Sequence, residues 1–262
     1  EQMIKLGLLL ELDRSKIPAV DRLFPRFKNP AWDAENLHSL PIACGVTGLI
    51  YNRRQVKEPP QDWDYLWQHQ QKLSKRITLV NDIREVMGAS LKSLGCSYNS
   101  MNPEEIQAAY EKLQALKRAI ATFTTDGWKT RILTGDLAIA MCYSDEGNRM
   151  MWENEDLVFI IPKSGSALAI DNIVIPKNAP NIEGGYAWIN FISQPKLLAN
   201  LCQRLSFGTP DRAAFNLLPL QLQQNPILFP PPEILDVCEE ITTLDNQTNE
   251  LFNHYWTLLT SS

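Results

Sequence analysis

The sequence predicts an α/β fold with a mostly parallel sheet, and three observations favour this class. Short apolar runs that suit buried strands alternate with amphipathic segments that suit helices, an order typical of α/β architectures. Apolar residues make up 44% of the 262 residues and charged residues 21%, as in ordinary globular proteins. The chain is also long enough for one or two domains with a full hydrophobic core.

The predicted strands are short apolar runs bounded by polar residues or glycines. In chain order they cover residues 40–52, 76–80, 137–143, 157–161 and 167–175. The last run is interrupted by Asp171, a carboxylate that costs free energy in an apolar strand unless it is paired or hydrogen-bonded. Asp171 is therefore predicted either to have a function or to be a strand-end residue bonded to the backbone.

The predicted helices begin and end at residues that favour helix termini. One helix opens at Asp82 and ends near Leu94, where Gly95 follows as a typical C-terminal glycine. The clearest helix starts at Pro103, because proline and the two glutamates after it suit a first turn. Taken in chain order, the longer predicted helices cover residues 82–94, 103–122, 182–191, 195–205 and 233–259.

Charge, cysteine content and missing motifs argue against several classes of protein. The net charge of −5, from 25 basic and 30 acidic residues, disfavours a nucleic-acid partner. No apolar run approaches the ~20 residues that a membrane span requires. The five cysteines and three histidines show no metal-binding spacing, and no known nucleophile or phosphate-loop motif is present. We therefore expect no metal site, no cofactor, no catalytic residue and no enzymatic activity.

Candidate site residues follow from the rule that ligands bind outside the carboxyl ends of parallel strands. Asp82 and Glu85 follow the strand 76–80 and share the first turn of one helix. This pair has two interpretations, a helix cap or a ligand site, and for Asp82 the two are compatible. Tyr143 ends another strand beside Asp145. An aromatic face next to carboxylates suits an organic cation, because the cation–π attraction contributes roughly 0.5–2 kcal/mol. Plain core packing is the alternative for the tyrosine.

The segment that follows the strand 76–80 reads DIREVMGA at residues 82–89. It is similar to the pattern DD-x-REV-x-G-x-A of the periplasmic polyamine-binding proteins, the spermidine/putrescine-type components of ABC transporters. Further similar segments lie on both sides of it, and together they occur in the family's order. They are at residues 40–52, 63–67, 95–106, 135–136, 160–165, 171–180 and 187–191. The likeness covers essentially the whole chain through Pro210, and the number of matches in order makes it more specific than any single motif.

The resemblance implies a two-lobed periplasmic-binding-protein fold of type II that closes on a ligand between its lobes. Lobe one is expected at residues 1–48 and 170–217, and lobe two at residues 49–169 and 218–262. Lobe one is expected to be incomplete, because the family's opening segment has no counterpart here. The first residues agree with this expectation, since they read as the end of a helix stopped by Gly7.

The resemblance also implies a set of ligand-binding residues. They are Asp82, Glu85, Thr125, Tyr143, Asp171 and Phe207. The three carboxylates align with groups that receive ligand amines, the threonine with a small hydroxyl residue and the tyrosine with an aromatic residue that is usually Trp. Three positions depart from the family pattern: Ala169 and Cys44 stand where Trp is common, and Phe207 stands where Tyr is common. These departures reduce the aromatic surface that could stack on a ligand's aliphatic chain.

The leading function hypothesis is the substrate-binding component of an ABC importer that captures a polyamine or a related organic cation. The expected partners are a small cationic ligand and a membrane ABC permease, without nucleic acid, and the protein is expected to be a monomer. The expected location is the periplasm, or a lipid anchor outside the inner membrane. The alternative is a diverged or truncated paralogue that does not transport and acts as an interaction module. Fold analogy also suggests a ferric-ion-binding protein, but no pair of tyrosines that could bind the iron is apparent in the sequence.

Overall fold

The computed structural model describes residues 1–261, and the chain divides into two compact units. Unit 1 comprises Glu1–Gly45 and Ile170–Phe229, and unit 2 comprises Val46–Ala169 and the chain from Pro230 onward. The chain therefore passes from one unit to the other at three points. The lobe boundaries expected from the sequence, after residues 48, 169 and 217, stay a prediction.

The strands of the described residues are short except for the first. They are β1 (Leu40–Asn52), β2 (Ile77–Leu79), β3 (Ile120–Phe123), β4 (Ile139–Tyr143), β5 (Leu157–Ile160), β6 (Ala167–Ile173) and β7 (Glu239–Glu240). The strand β1 matches its predicted run at both ends, and β2, β4, β5 and β6 lie inside theirs. The sequence did not predict β3 or β7 as strands.

The strands pair in the order β3-β2-β4-β1-β6-β7, and β5 also pairs with β1. The strand β2 is parallel to both β3 and β4, and β6 is parallel to β7. The strand β1 is antiparallel to β4 and to β5. Three of these five pairings are parallel, and the two antiparallel pairings both involve β1, so the sheet is mixed around β1. The alternation of strands and helices in the sequence predicts how consecutive elements are connected. It does not predict the direction of β1, because the strands that pair with β1 lie far along the chain.

The α-helices of the described residues range from single turns to four turns. They are α1 (Gln2–Lys5), α2 (Ala19–Arg22), α3 (Tyr65–Gln68), α4 (Ile83–Ser93), α5 (Pro103–Leu116), α6 (Trp128–Leu133), α7 (Ser144–Glu153), α8 (Ile182–Ile192), α9 (Pro195–Leu205), α10 (Arg212–Asn216), α11 (Leu220–Gln223), α12 (Pro232–Leu235) and α13 (Asn246–Thr260). Three single turns of 3₁₀ helix lie at Arg14–Lys16, Pro25–Phe27 and Ala34–Asn36. The helices α4, α8 and α9 agree with their predicted ranges to within a residue or two.

Two predicted helices were too long. The prediction 103–122 is wrong after Leu116, because the β-branched Ile120 and Thr122 belong to β3 and pair with β2. The prediction 233–259 is wrong in its first half, where α12, β7 and an extended segment precede α13. The strand β7 is needed as a partner for β6, with Glu239 opposite Ala167. In both cases a tertiary strand pairing overrides local helix propensity.

Each unit has a hydrophobic core of its own. The core of unit 2 includes Ile77, Leu113, Met141 and Phe252, which join β2, α5, β4 and α13. Each such side chain contributes roughly 1.5–3 kcal/mol of stability on burial. Unit 1 has separate clusters, one of which packs Leu23 and other apolar residues of its first segment against Ile189 and other residues of the second. Among residues 1–261, no helix combines the length and the apolar character needed to cross a membrane.

The helix α4 is held by packing and by polar contacts within unit 2. It packs against both α5 and α13. Its Arg84 donates to the Thr242 carbonyl oxygen at 2.9 Å and to Asn99 Oδ1 at 2.9 Å. Near its other end, Lys92 Nζ lies 2.6 Å from Glu239 Oε1 and so connects α4 to β7. These contacts fix the orientation of the first turn of α4, which carries two of the predicted site residues.

Candidate functional site

The carboxyl ends of three parallel strands meet at one edge of the sheet in unit 2. Because β3, β2 and β4 are neighbours and parallel, the residues that follow them lie side by side. Asp82 and Glu85 follow β2, Thr125 follows β3, and Tyr143 is the last residue of β4. The strand β1 runs the other way and brings Thr47 opposite Tyr143. Four of the six predicted site residues therefore share this edge.

The Asp82 side chain caps α4 and keeps one oxygen for other use. Its Oδ1 accepts hydrogen bonds from the backbone N–H groups of Arg84, at 2.8 Å, and of Glu85, at 3.1 Å. A capping box would also need the Glu85 carboxylate to accept from the Asp82 N–H. That return bond does not form within the described chain. Capping is therefore confirmed for Asp82, while the carboxyl group of Glu85 is left for another purpose.

Glu85 is a carboxyl group buried without adequate partners. The residue is 4% exposed, and its Oε2 has no hydrogen-bond partner in the part of the chain that the structure describes. Burial raises the pKa of Glu85 to about 7, and the nearby Asp82 adds to the shift, while Thr47 and Arg84 oppose it. The hydroxyl oxygen of Thr47 is also buried without a hydrogen bond. The Thr47 hydroxyl lies close enough to Glu85 to lower its pKa, but neither Thr47 Oγ1 nor Glu85 Oε2 forms a hydrogen bond of normal geometry within the described residues.

Tyr143 lies half-buried among carboxylates at the start of α7. Its pKa is raised above the ordinary value by burial and by the negative charges of Glu85 and Asp82, then those of Glu146 and Asp145. These four acidic residues therefore surround the phenol closely enough to act on it electrostatically. The neighbouring Ser144 Oγ accepts a hydrogen bond from the Val46 N–H at 3.1 Å, which ties the start of α7 to β1.

The first turn of α7 adds Glu146 to the site, next to Asp145, which the sequence analysis had named as the carboxylate beside Tyr143. Asp145 is 3.4 Å from Arg149 Nη2, and burial raises its pKa. Glu146 Oε1 is 2.5 Å from Lys129 Nζ on α6, while Glu146 Oε2 is buried without a hydrogen bond in the described residues. The signal for Glu146 was present in the sequence, since it follows a strand end as Glu85 does. Nothing in the sequence indicated its pairing with Lys129.

Thr125 is at the same edge, but its hydroxyl has no contact that defines a role. The residue is half-buried in the loop between β3 and α6. Its backbone carbonyl oxygen accepts a hydrogen bond from Trp128 Nε1 at 3.0 Å, which anchors the loop to the start of α6. The hydroxyl makes no hydrogen bond among the described residues, so a role in ligand binding stays a prediction.

The remaining two predicted site residues, Asp171 and Phe207, belong to unit 1. The expectation that Asp171 interrupts a buried strand is wrong, because Asp171 and the adjacent positions of β6 are exposed or half-buried. Burial raises the pKa of the Cys44 thiol to about 12, and the negative charges of Cys202 and Asp171 add to the shift. Phe207 is partly buried against the cluster that contains Leu198 and Ala214.

Cys44 and Phe207 are linked through the backbone of unit 1. Cys44 and Gly208 exchange two backbone hydrogen bonds, at 2.8 and 2.9 Å, so that Phe207 is next to the thiol-bearing strand. Asp171 acts on the same thiol. Three positions at which the sequence matches or departs from the family pattern are therefore neighbours within unit 1. Whether they contact a ligand stays a prediction.

Comparison with known proteins gives a consistent picture. The family model described as bacterial extracellular solute-binding protein matches residues 1–230. A spermidine/putrescine-binding periplasmic protein of Haemophilus influenzae is 29% identical over 235 residues, which are 89% of this chain and 65% of that protein. A putrescine/cadaverine-binding protein of Pseudomonas aeruginosa is 28% identical over 268 residues, which are 98% of this chain and 76% of that protein. The chain thus spans about two thirds of the Haemophilus relative.

Solved structures show the same fold. A spermidine/putrescine ABC transporter substrate-binding protein of Streptococcus pneumoniae superimposes with a TM-score of 0.90 at 31% identity. The match covers 99% of this chain and 80% of that one. A PotD lipoprotein of Treponema pallidum gives a TM-score of 0.87 at 25% identity, with 99% of this chain and 81% of that one covered.

Proposed function

Because the chain belongs to the bacterial extracellular solute-binding proteins, a family of binding proteins rather than enzymes, we propose that it captures a polyamine or related organic cation. In this proposal the protein works in the periplasm, or anchored outside the inner membrane, as a monomer. It delivers its ligand to the membrane permease of an ABC importer and has no nucleic-acid partner. The names of its relatives, which bind spermidine, putrescine or cadaverine, support this class of ligand.

The observation that carries the proposal is the buried Glu85 carboxyl group at the acidic edge of unit 2, which has no ion-pair partner and no hydrogen bond at Oε2 among the described residues. A buried carboxylate without a counter-ion is costly, whereas an ammonium group beside it would supply both charge and hydrogen bonds. The free oxygen of Asp82 and the ring of Tyr143 are the adjacent groups that an ammonium and its methylene chain require. A charge-assisted hydrogen bond of this kind contributes roughly 1.5–3 kcal/mol.

We also propose ligand contacts for the other predicted residues. Thr125 would donate or accept a hydrogen bond through its hydroxyl. Asp171 would receive an ammonium group, and Phe207 would pack against the ligand's methylene chain. The support for these three roles is their alignment with the polyamine-binding family, together with the exposure of Asp171.

Thermal shift and calorimetry with putrescine test the proposal, with 1,4-butanediol as an uncharged ligand of the same length. A diamine at 100 times its Kd should stabilise the protein by about 2.7 kcal/mol, and the diol should have no effect. Glu85→Gln should weaken the response to the diamine, whereas Glu58→Gln, on an exposed side chain, should leave it unchanged. Absence of stabilisation by putrescine, cadaverine and spermidine would refute the proposal and favour a non-transport interaction module.

A further inference from the structure

The contact between Lys129 and Glu146 places a cation of the protein itself at the acidic edge of unit 2. Lys129 is in the first turn of α6, which follows β3, and Glu146 is in the first turn of α7, which follows β4. The Nζ to Oε1 distance is 2.5 Å, and the Glu146 side chain is only 11% exposed. Lys129 also lies 3.5 Å from Asp126, whose side chain is largely exposed. The lysine is therefore held in place by two carboxylates.

The charges at this edge separate into two kinds of carboxylate. Glu146 and Asp145 each have a basic partner, Lys129 at 2.5 Å and Arg149 at 3.4 Å. Asp82 and Glu85 form no ion pair with any described residue. The guanidinium of the adjacent Arg84 is turned to other acceptors, the Thr242 carbonyl and Asn99. Of these four carboxylates, the two at the start of α4 are thus the ones without an ion pair, and Arg84 offsets the raised pKa of Glu85 only in part.

The Lys129 ammonium satisfies one oxygen of Glu146 and leaves the other without a partner. A buried oxygen of this kind is an acceptor for a further ammonium group. As long as Lys129 is present, however, a ligand ammonium at Glu146 would lie close to the lysine's positive charge. The lysine therefore fills the anionic position at α7 and leaves the position at α4 open.

Resting on the proposed function, we propose that Lys129 is a specificity-determining residue that limits unit 2 to a single ligand ammonium and so disfavours triamines relative to diamines. A diamine places one ammonium at Asp82 and Glu85 and needs no second anion in this unit. A triamine has an additional ammonium group, but the negative charge of Glu146 is already paired with Lys129. Removing the lysine charge opens a second anionic position at the same edge.

The test compares the affinities of putrescine, with two ammonium groups, and spermidine, with three, by calorimetry. Lys129→Met should raise the ratio of spermidine to putrescine affinity by about tenfold, since it exposes one charged acceptor. Lys129→Gln should act in the same direction and serves as the second variant if the methionine variant does not fold. The double variant Lys129→Met with Glu146→Gln should return the ratio to within about twofold of wild type, because the acceptor charge is removed.

Arg54→Met is the matched control, because it removes one positive charge from unit 2 at the opposite end of β1. Arg54 pairs with Asp156 at 2.6 Å and follows the end of β1 that is remote from Tyr143. The ratio of spermidine to putrescine affinity in Arg54→Met should equal that of wild type. An unchanged ratio in both Lys129 variants, with putrescine still bound, would overturn this inference alone. Failure of the wild-type protein to bind either polyamine would overturn the proposed function and the inference together.

Discussion

The buried Glu85 carboxyl group lowers the stability of the ligand-free protein when it ionises, and its free oxygen remains available as an acceptor for a ligand. Its pKa of about 7, against an ordinary 4.5, means that the folded state binds a proton more tightly than the unfolded state. The contribution to stability is therefore fully present below pH 4.5 and is lost as the pH rises through 7. The loss is at most about 3 kcal/mol, since each tenfold difference in proton affinity between the two states corresponds to about 1.4 kcal/mol.

We expect Glu85→Gln to be more stable than wild type at pH 8 by roughly 1–3 kcal/mol, because the amide carries no charge to bury. At pH 4 the advantage should disappear, since the wild-type carboxyl group is then protonated. Urea unfolding of both proteins at pH 4 and pH 8, without ligand, measures the difference. A stability difference that is the same at both pH values would contradict the assignment of this pKa.

Asp171→Asn should weaken the binding of putrescine more than Thr125→Ala does. A hydrogen bond to a charged group contributes roughly 1.5–3 kcal/mol, whereas a neutral one contributes about 0.5–1.5 kcal/mol. Calorimetric Kd values for the two variants and the wild type give the comparison. Equal affinities of wild type and Asp171→Asn would show that this carboxylate does not bind the ligand.

At the residue scale, the sequence predicted the acidic turn after β2 but not its surroundings. Asp82 and Glu85 were recognisable because a buried strand precedes them and their spacing fits one helical turn. The capping role of Asp82 and the free carboxyl of Glu85 became distinguishable only from their hydrogen bonds. The pairing of Lys129 with Glu146 was not predictable, since the contact depends on how α6 and α7 follow two adjacent strands.

At the scale of elements, the helix α4 depends on a close approach at Gly88. A Cβ atom at this position would lie 2.0 Å from ring carbons of Tyr98, which is fully buried. The Tyr98 hydroxyl also donates to the Glu85 carbonyl oxygen at 3.3 Å. The Tyr98 ring therefore packs directly against α4 at Gly88, and its hydroxyl contacts the first turn of the same helix.

Gly88→Ala should destabilise the protein by about 1–3 kcal/mol, the usual cost of overpacking a rigid core, and should weaken cation binding through Glu85. Gly185→Ala in α8 is the control. Its Cβ would meet the buried Ile175 at 2.9 Å (Cδ1) and 3.2 Å (Cγ1), a milder overlap than the 2.0 Å at Gly88, and the helix propensity of alanine offsets about 0.5–1 kcal/mol of the cost. Urea unfolding measures both. Equal stabilities of the two variants would contradict the role assigned to Tyr98.

The elements that the sequence predicted well are those whose limits are set locally. Strand β1 was predicted at both ends because polar residues bound its apolar run. Helix α9 was predicted from Pro195 to Leu205, since proline marks its first turn. Ile120 was assigned to a helix because its spacing fits α5, and only the pairing of β3 with β2 reveals it as a strand residue. The direction of β1 likewise depends on distant partners.

At the scale of the whole molecule, the net charge of −5 favours the approach of cations and makes their binding sensitive to salt. The screening length falls from about 10 Å at 0.1 M ionic strength to about 3 Å at 1 M. We expect the Kd for putrescine to rise several-fold over this range, and the Kd for spermidine to rise further. Contacts to the buried Glu85 should be screened less, so binding should persist at high salt. Calorimetry in sodium chloride measures both, and affinities independent of salt would contradict the charge-assisted mode.

The position of α13 has a consequence for biosynthesis. Phe252 and Leu259 of this helix belong to the same core as Val86 of α4 and Leu113 of α5, although more than 200 residues separate them from the start of unit 2 at Val46. A ribosome must therefore translate residue 259 before the apolar faces of α4 and α5 are fully covered. Until then the nascent chain lacks part of its core and stays open to chaperones.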